Sequence, residues 1–576
     1  MLTTPGGWLL LVAVLAPFFG VLVGLALGGR NAPRVAALIL PIGLAVAGGI
    51  AWTLLQSGDP LVYLLGGWAP PLGIALRADG LAAAMLLAVA VVVCGIGAYA
   101  RADFGSVTGE PAQRASFVYW LLLLAVWGSL NLVFVSGDLF TLYVALELLT
   151  FSGVPLVCLD GRGETLRAAL RYLLFALAGS LLYLLGAVLL YGGYGTLDIS
   201  LLAGRVQPEP IAWAAAALMT VGLLAKTALF PLHIWLPPAH AGAPAAASAV
   251  LSALVIKGSW FLVVRLWFDV MPGVVTLPSA QLLAGLGAAA IVVGSVVALR
   301  QERLKLLVAY STIAQIGYLF LMFPLAFDAS GSTLVHGTVL TGGLLQAVAH
   351  ATAKAGMFMA AGLVYAALGH DRIADLGGVA RAMPVTVLAF AISGLALMGV
   401  VPSGAYLAKK LLLDAADSSG QWWWTIVLQG GAAFTAGYVV LVLTNALRRP
   451  AVPVKLVKQV SRLSEFAALA LAVSSLLLAF AALGPVPGSL ISNPLLPKEL
   501  VPTLLIFLGG TLLALGLSRR ALFGTGDTDG TVRRAAVAAG KGVELADSFL
   551  RRWPSAGLAL LTLAGLFAWL MLSRNP

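Results

Sequence analysis

Charge is scarce in this 576-residue chain: 10% of its residues are Asp, Glu, Lys or Arg, against 61% that are hydrophobic. A soluble domain carries about 25% charged residues, so a water-exposed globular surface is excluded. Cysteine is scarcer still. Cys94 and Cys158 are the only two; both lie inside apolar runs, which argues against a disulfide framework or a cysteine-built metal site and leaves them as small buried residues. No nucleotide loop, flavin motif or cluster-binding cysteine set is visible, so no cofactor, no metal and no catalytic chemistry are expected of this chain itself. The N-terminus, MLTTPGGW, lacks the basic region of a signal peptide, and the first apolar run reads as a retained span.

What fills the chain is hydrophobic sequence in lengths near the ~20 residues needed to cross a bilayer as a helix. Sixteen such runs recur from end to end, which predicts an all-α polytopic membrane protein. The net charge of +11 would suit nucleic acid, but its placement follows the membrane. Most of the 34 basic residues fall in alternate loops on one side. The positive-inside rule makes that side cytoplasmic and puts both termini on the other face of the cell's inner membrane. Lipid, and no nucleic acid, is the expected surroundings.

Ionisable side chains within spans are costly in lipid and mark functional sites by default. Lys226 ends an apolar run, and Pro231, Pro237, Pro238 and Pro244 then interrupt the backbone around His233 and His240. Such a break is tolerated at membrane depth only where protein or trapped water satisfies the freed groups. Lys257 stands mid-way along the next run, eight residues before Arg265, which also suits an interfacial anchor. Glu147, deep in the span 139–158, is the candidate partner of Lys226, with a structural ion pair as the plainer alternative. Arg171 fits a pathway or a snorkelling anchor equally well. His350 and Lys354 lie one helical turn apart in the run 334–367, as a proton relay would need, whereas the lone His336 suits a helix-to-helix hydrogen bond. No further histidine or cysteine stands at ligand spacing, so zinc is not expected there. The run 384–412 repeats the broken pattern at Gly399, Pro402 and Gly404, followed by Lys409 and Lys410.

The remaining segments read as packaging. Residues 66–80, GGWAPPLGIALRADG, read as an interfacial loop, with Arg77 and Asp79 snorkelling; Trp422, Trp423 and Trp424 read as an interfacial belt. Between the last two spans, Val532, Ala536, Ala539, Val543, Ala546 and Leu550 recur at helical spacing opposite Arg533, Arg534, Lys541, Glu544 and Arg551. This predicts an amphipathic helix with its charges on an exposed face, lying on the membrane or on a partner subunit. The two Gly/Pro breaks, each late in a block of five spans, suggest inverted repeats.

Taken as a set, DLFTLYVALELLTFSG, KTALFPLHIWLPPAHAGAP, LLVAYSTIAQIGYLFL, HATAKAGMF and GVVPSGAYLAKK resemble the proton-conducting, antiporter-like membrane subunits shared by respiratory complex I, energy-converting hydrogenases and Mrp-type antiporters. The resemblance covers about residues 65–485, and GGWAPPLGI points toward the D-type subunit of the Mrp antiporters. It implies a fourteen-helix core with two inverted five-helix repeats and broken helices seven and twelve, here with two extra C-terminal spans. The implied divisions are scaffold helices at 1–116, repeats at 117–270 and 279–447, C-terminal helices at 448–518, a cytoplasmic amphipathic segment at 519–554 and a final span at 555–576. It also implies a proton pathway of Glu147, Lys226, Lys257, His350, Lys354 and Lys409, with Arg171, His233, His240 and His336 as accessory candidates. This chain departs from the family pattern at Pro238, where WLPP replaces WLPD and removes a carboxylate. It departs again at Arg303, near Lys305, where an Asp is usual, and at Arg171, where a lysine is common.

The expected function is proton translocation, with cation/proton antiport as a variant, in a complex with other membrane subunits; protons and, in antiporter members, sodium ions are the implied cargo. Two rivals remain from the sequence: a self-contained carrier for a small anion, and a membrane partner of a soluble enzyme such as an inorganic-carbon uptake complex.

Overall fold

A computed structural model of the chain describes residues 2–105, 114–335, 337–449, 454–481, 497–517 and 530–572. Among them, fourteen helices are long and apolar enough to cross a membrane, and two shorter apolar helices, Pro384–Leu397 and Val501–Gly516, bring the number to the sixteen expected. Helices start where a short polar side chain can take an orphan amide. Asp79 accepts from Ala82 N at 2.9 Å ahead of Gly80–Phe104, and Asp138 accepts from Thr141 N at 2.8 Å ahead of Leu139–Val157.

The segment expected as a plain loop before the third span is a small hairpin. Leu61–Leu64 pairs antiparallel with Ala75–Ala78, Leu61 opposite Ala78 and Val62 opposite Arg77. The turn residues of GGWAPPLG are thus the connection of two short strands, a pairing too brief for alternation to reveal.

Both broken helices are present. Pro210–Thr227 ends just after Lys226; the chain then passes through Ala228, at φ +58°, and Pro231 before the short helix Leu236–Gly242. Further on, Pro384–Leu397 ends at Gly399, at φ +68°, and Ser403 caps Gly404–Ser418 by accepting from Tyr406 N at 3.1 Å. A left-handed residue ends a helix because it turns the next amide away from the ladder. The eighth crossing, Ala245–Val270, is uninterrupted but contains two π-turns, Leu251–Val255 and Leu266–Val270, a rare geometry that is frequent at functional sites.

By internal packing the chain divides into two compact units, one of residues 1–227, 242–279 and 557–576 and the other of 228–241 and 280–556. Each contains a helix pair held at backbone distance by facing glycines. In the first, a Cβ on Gly222 would lie 2.3 Å from the Gly179 carbonyl oxygen, and one on Gly179 would lie 2.6 Å from that of Gly222. In the second, Gly287 and Gly317 stand in the same relation, at 2.2 and 2.6 Å. Without a hydrophobic drive between helices in lipid, such close approach is what holds them together. The final helix, Trp553–Leu572, packs from Gly557 onward within the first unit, where Thr276 Oγ1 donates to Leu570 O at 3.1 Å.

Gly222→Val should lower stability by roughly 1–3 kcal/mol or more through overpacking, because carbonyl oxygen and not a movable side chain occupies the space. Gly192→Ala, with nothing within 4 Å of its added methyl, should be close to neutral. Thermal unfolding of the two chains in mild detergent checks the contrast.

Candidate functional site

The first unit holds Glu147, Lys226 and Lys257. Lys226, 7% exposed, points its ammonium at three acceptors: Glu147 Oε1 at 3.4 Å, Thr150 Oγ1 at 2.8 Å and the Ser180 hydroxyl. Each hydroxyl spends its own hydrogen on a helix carbonyl, Thr150 on Leu146 and Ser180 on Ala176, which leaves lone pairs turned to the ammonium. Glu147 is held more loosely. Its contact with Lys226 is long for a charged hydrogen bond, and its Oε2 is buried with no hydrogen-bond partner. A pair joined by one long contact, with a spare oxygen on the carboxylate, can separate at modest cost. Lys257 is 1% exposed, and its Nζ donates to Ser252 O at 2.8 Å, a carbonyl in the π-turn just before it.

Arg265 is not the simple anchor its position suggests. It forms a two-pronged pair with Asp79, both contacts at 2.6 Å, and reaches Asp269 at 2.7 Å, on the wall of a polar cavity shared with Arg77, Ser136 and Ser200. Arg171 stays partly exposed on Gly163–Tyr194, without an ion-pair partner among the described residues.

In the second unit, His350 and Lys354 are both fully buried on the 31-residue helix Thr338–Leu368. Lys354 Nζ donates to Val308 O at 3.2 Å and to the Ser311 hydroxyl, so its acceptors are neutral where Lys226 has a carboxylate. Gln346, His350 and Lys354 recur every four residues and share one helix face. Across from them, Leu304–Tyr318 carries Ser311, Gln315 and Tyr318 at helical spacing. Ser311 meets Lys354 at one end of these stripes. At the other, Tyr318 and Gln346 line the cavity that holds Lys409, beside the Gly399 break. Lys354 and Lys409 therefore lie in one unit with Ser311 and Tyr318 of the same helix beside them, while Gln315 between these two donates to Thr435 at 3.1 Å on the helix Trp422–Leu447. Lys410 is turned to a different side of its helix.

His233 and His240 lie in the broken segment 228–241 of the same unit, both at 0% exposure. His240 stacks on Phe358 with centroids 4.7 Å apart, and neither ring nitrogen has a hydrogen-bond partner. His233 Nε2 lies 2.7 Å from Asp547 Oδ1. His336 lies outside the described residues.

Asp547 is the residue that the sequence did not bring forward. The expected amphipathic helix is present as Gly530–Leu550, but its packed face is rotated to include part of the charge: beside the partly buried Val543 and Leu550, Asp547 is 2% exposed and Glu544 pairs with Arg300 at 2.9 Å, while Arg534 and Lys541 stay exposed and Leu545 and Phe549 point outward. Trp424 departs likewise from the expected belt. It turns inward and donates to Gln281 Oε1 at 3.1 Å, leaving Trp422 and Trp423 exposed. Sequence periodicity separates two faces of a helix but not which one packs on protein when the other can meet lipid.

A family described as NADH:quinone oxidoreductase/Mrp antiporter, TM, matches residues 136–435. The chain is 33% identical to the N subunit of an NADH-quinone oxidoreductase of Desulforudis audaxviator over 76% of its own length and 86% of that protein. It is 30% identical to the D-type subunit of a Na(+)/H(+) antiporter of Bacillus subtilis over 64% of its length and 72% of that protein. In fold it is similar to a chain of the Mrp complex from a Dietzia species, with a TM-score of 0.71, 23% identity and coverage of 92% of this chain and 99% of that one.

The acceptors around Lys226 generate a stability test. Hydrogen bonds to a charged group contribute about 1.5–3 kcal/mol, so Thr150→Val should cost that much in the native chain and nearly nothing in a Lys226→Met background. A double-mutant cycle measured by denaturation in detergent checks it.

Proposed function

The chain belongs to the NADH:quinone oxidoreductase/Mrp antiporter membrane family, and from that premise we propose that it is a proton-translocating membrane subunit of a multi-subunit complex. Relatives carry names of both quinone oxidoreductase and Na(+)/H(+) antiporter subunits, so proton movement coupled to redox chemistry or to sodium is the range of work assigned to it. The observation that carries the reading is the set of lysines buried within apolar helices, each with polar acceptors and one, Lys226, with a separable carboxylate.

The proposed pathway uses Glu147, Lys226 and Lys257 in the first unit and His350, Lys354 and Lys409 in the second. Its control is electrostatic. Burial favours a neutral amine and a nearby carboxylate favours the ammonium, so withdrawal of Glu147 from Lys226 releases a proton to the next acceptor and its return recaptures one. Moving a unit charge against 100 mV requires ~2.3 kcal/mol. A difference of two units in proton affinity between the paired and separated states is enough, at ~1.36 kcal/mol per unit.

At the buried lysines, cavity size favours this reading over an anion carrier. The cavities beside Lys226 and beside Lys409 are each about 10 Å³, on the order of the space one water needs. Water passes protons along hydrogen bonds, whereas a carried anion needs a chamber of its own. The excess of Arg and Lys in alternate loops supports a cytoplasmic placement of the Gly530–Leu550 helix and an outward placement of both termini. The paired breaks support two inverted repeats at 117–270 and 279–447.

Two experiments test the pathway in vesicles containing the assembled complex. Glu147→Gln keeps volume and hydrogen bonding but removes the negative charge, and should reduce proton uptake by roughly a hundredfold with assembly intact; Glu147→Asp should be milder. Native uptake by an assembled Gln variant removes Glu147 from the path. At the other end, Lys409→Arg should block turnover, because arginine does not give up its proton, while Lys410→Arg is tolerated and Lys409→Glu retains part of the activity. An active Lys409→Arg complex, with the Glu variant disrupted, would make Lys409 a headgroup anchor instead.

A further inference from the structure

The helix Gly530–Leu550 delivers one carboxylate into the second unit beneath the proline break. Asp547 Oδ1 meets His233 Nε2 at 2.7 Å; Asp547 Oδ2 accepts from the Tyr310 hydroxyl and from Arg551 Nε, each at 2.9 Å. The pair is not sealed off. A cleft of about 560 Å³ reaches it, with Pro238, Lys541, Glu544 and Arg551 in its wall. His233 is itself fully buried outside the cleft wall, and its Nδ1 has no hydrogen-bond partner, a second proton site on the same ring. Carboxylate, imidazole and an open inner nitrogen thus form a sequence from water to interior.

A structural clamp would call for less. Arg300 and Glu544 already fasten the helix by an ion pair at 2.9 Å, and a buried ion pair is weak as a source of stability because desolvation offsets attraction. Histidine, by contrast, exchanges a proton at either nitrogen near neutral pH.

We propose that Asp547 and His233 form the proton port of the second unit, passing protons between the open cleft and the buried interior. The inference rests on the proton-translocating reading above and adds to it a role for the C-terminal extension. Tyr310, His233 and Arg551 are the titratable or charged groups facing Asp547, with Glu544, its partner Arg300, and Lys541 further along the cleft. Burial pushes the Asp547 carboxyl up, but the hydrogen bond and charge of His233, the charge of Arg551 and the Tyr310 hydroxyl outweigh it and hold the group below the ordinary range. It therefore stands ionised at neutral pH, and its negative charge favours a proton on the His233 imidazole beside it.

The test uses the whole complex in vesicles, with proton uptake followed across pH and assembled complex quantified for each variant. Asp547→Asn, which keeps the shape and one acceptor oxygen but removes the charge, should lower uptake by at least about tenfold at unchanged assembly. Asp547→Glu should stay within about threefold of native but with a displaced pH–rate profile, which a clamp would not produce. Native uptake by assembled Asp547→Asn complexes, or a Glu profile superimposable on the native one, overturns the port. Where the Asn chain does not assemble, His233→Gln takes its place, with a tenfold loss supporting the port and native uptake overturning it. Glu147→Gln in the same vesicles keeps the two levels apart. If it abolishes uptake while Asp547→Asn does not, only the port falls; if native vesicles take up no protons, the functional reading itself falls.

Discussion

A charge taken into an apolar helix bundle must find its compensation in the protein, because lipid offers none. This single requirement orders the site. Lys226 collects a carboxylate and two hydroxyls, Lys257 a π-turn carbonyl, and Lys354 a carbonyl and a hydroxyl. The acceptors grade from charged to neutral. Where the acceptor is a carboxylate that can move, the lysine's hold on its proton becomes adjustable; where it is a carbonyl fixed in a helix, it does not.

The helix breaks serve the same requirement from the backbone side. An unbroken helix uses all its carbonyls and amides internally, so it has none to lend to a charge. A left-handed residue at Ala228 or Gly399 and a π-turn before Lys257 disturb the ladder next to a cation in each case. The facing glycines at 179 and 222, and at 287 and 317, bring neighbouring backbones into direct contact, and little more than a water's space is left beside Lys226 and Lys409.

Sequence alone revealed what depends on composition and depth. Sixteen apolar runs, two breaks, and the ionisable residues lying far from any loop are all local properties, and Glu147 with Lys226 was a pairing forced by the scarcity of acids within spans. What stayed hidden depends on tertiary packing. The hairpin 61–78 is too short for alternation to register. Trp424 and Trp422 have the same local context but opposite surroundings. Asp547 sat on a helix whose pattern is equally compatible with either face inward; the one hint was its spacing, three residues after Glu544 and four before Arg551, which places three charged residues on a single face.

His233 and Asp547 are separated by 314 residues. At a synthesis rate of roughly 5–20 residues per second, the histidine waits roughly 15 to 60 seconds for its carboxylate. By the end of that interval the nascent chain holds its lysines and both proline breaks, and an open route through them would dissipate the membrane potential. A chain that stalls or is cleaved before residue 547 lacks that acid, so under the port proposed above, late delivery of one side chain would keep unfinished copies from leaking.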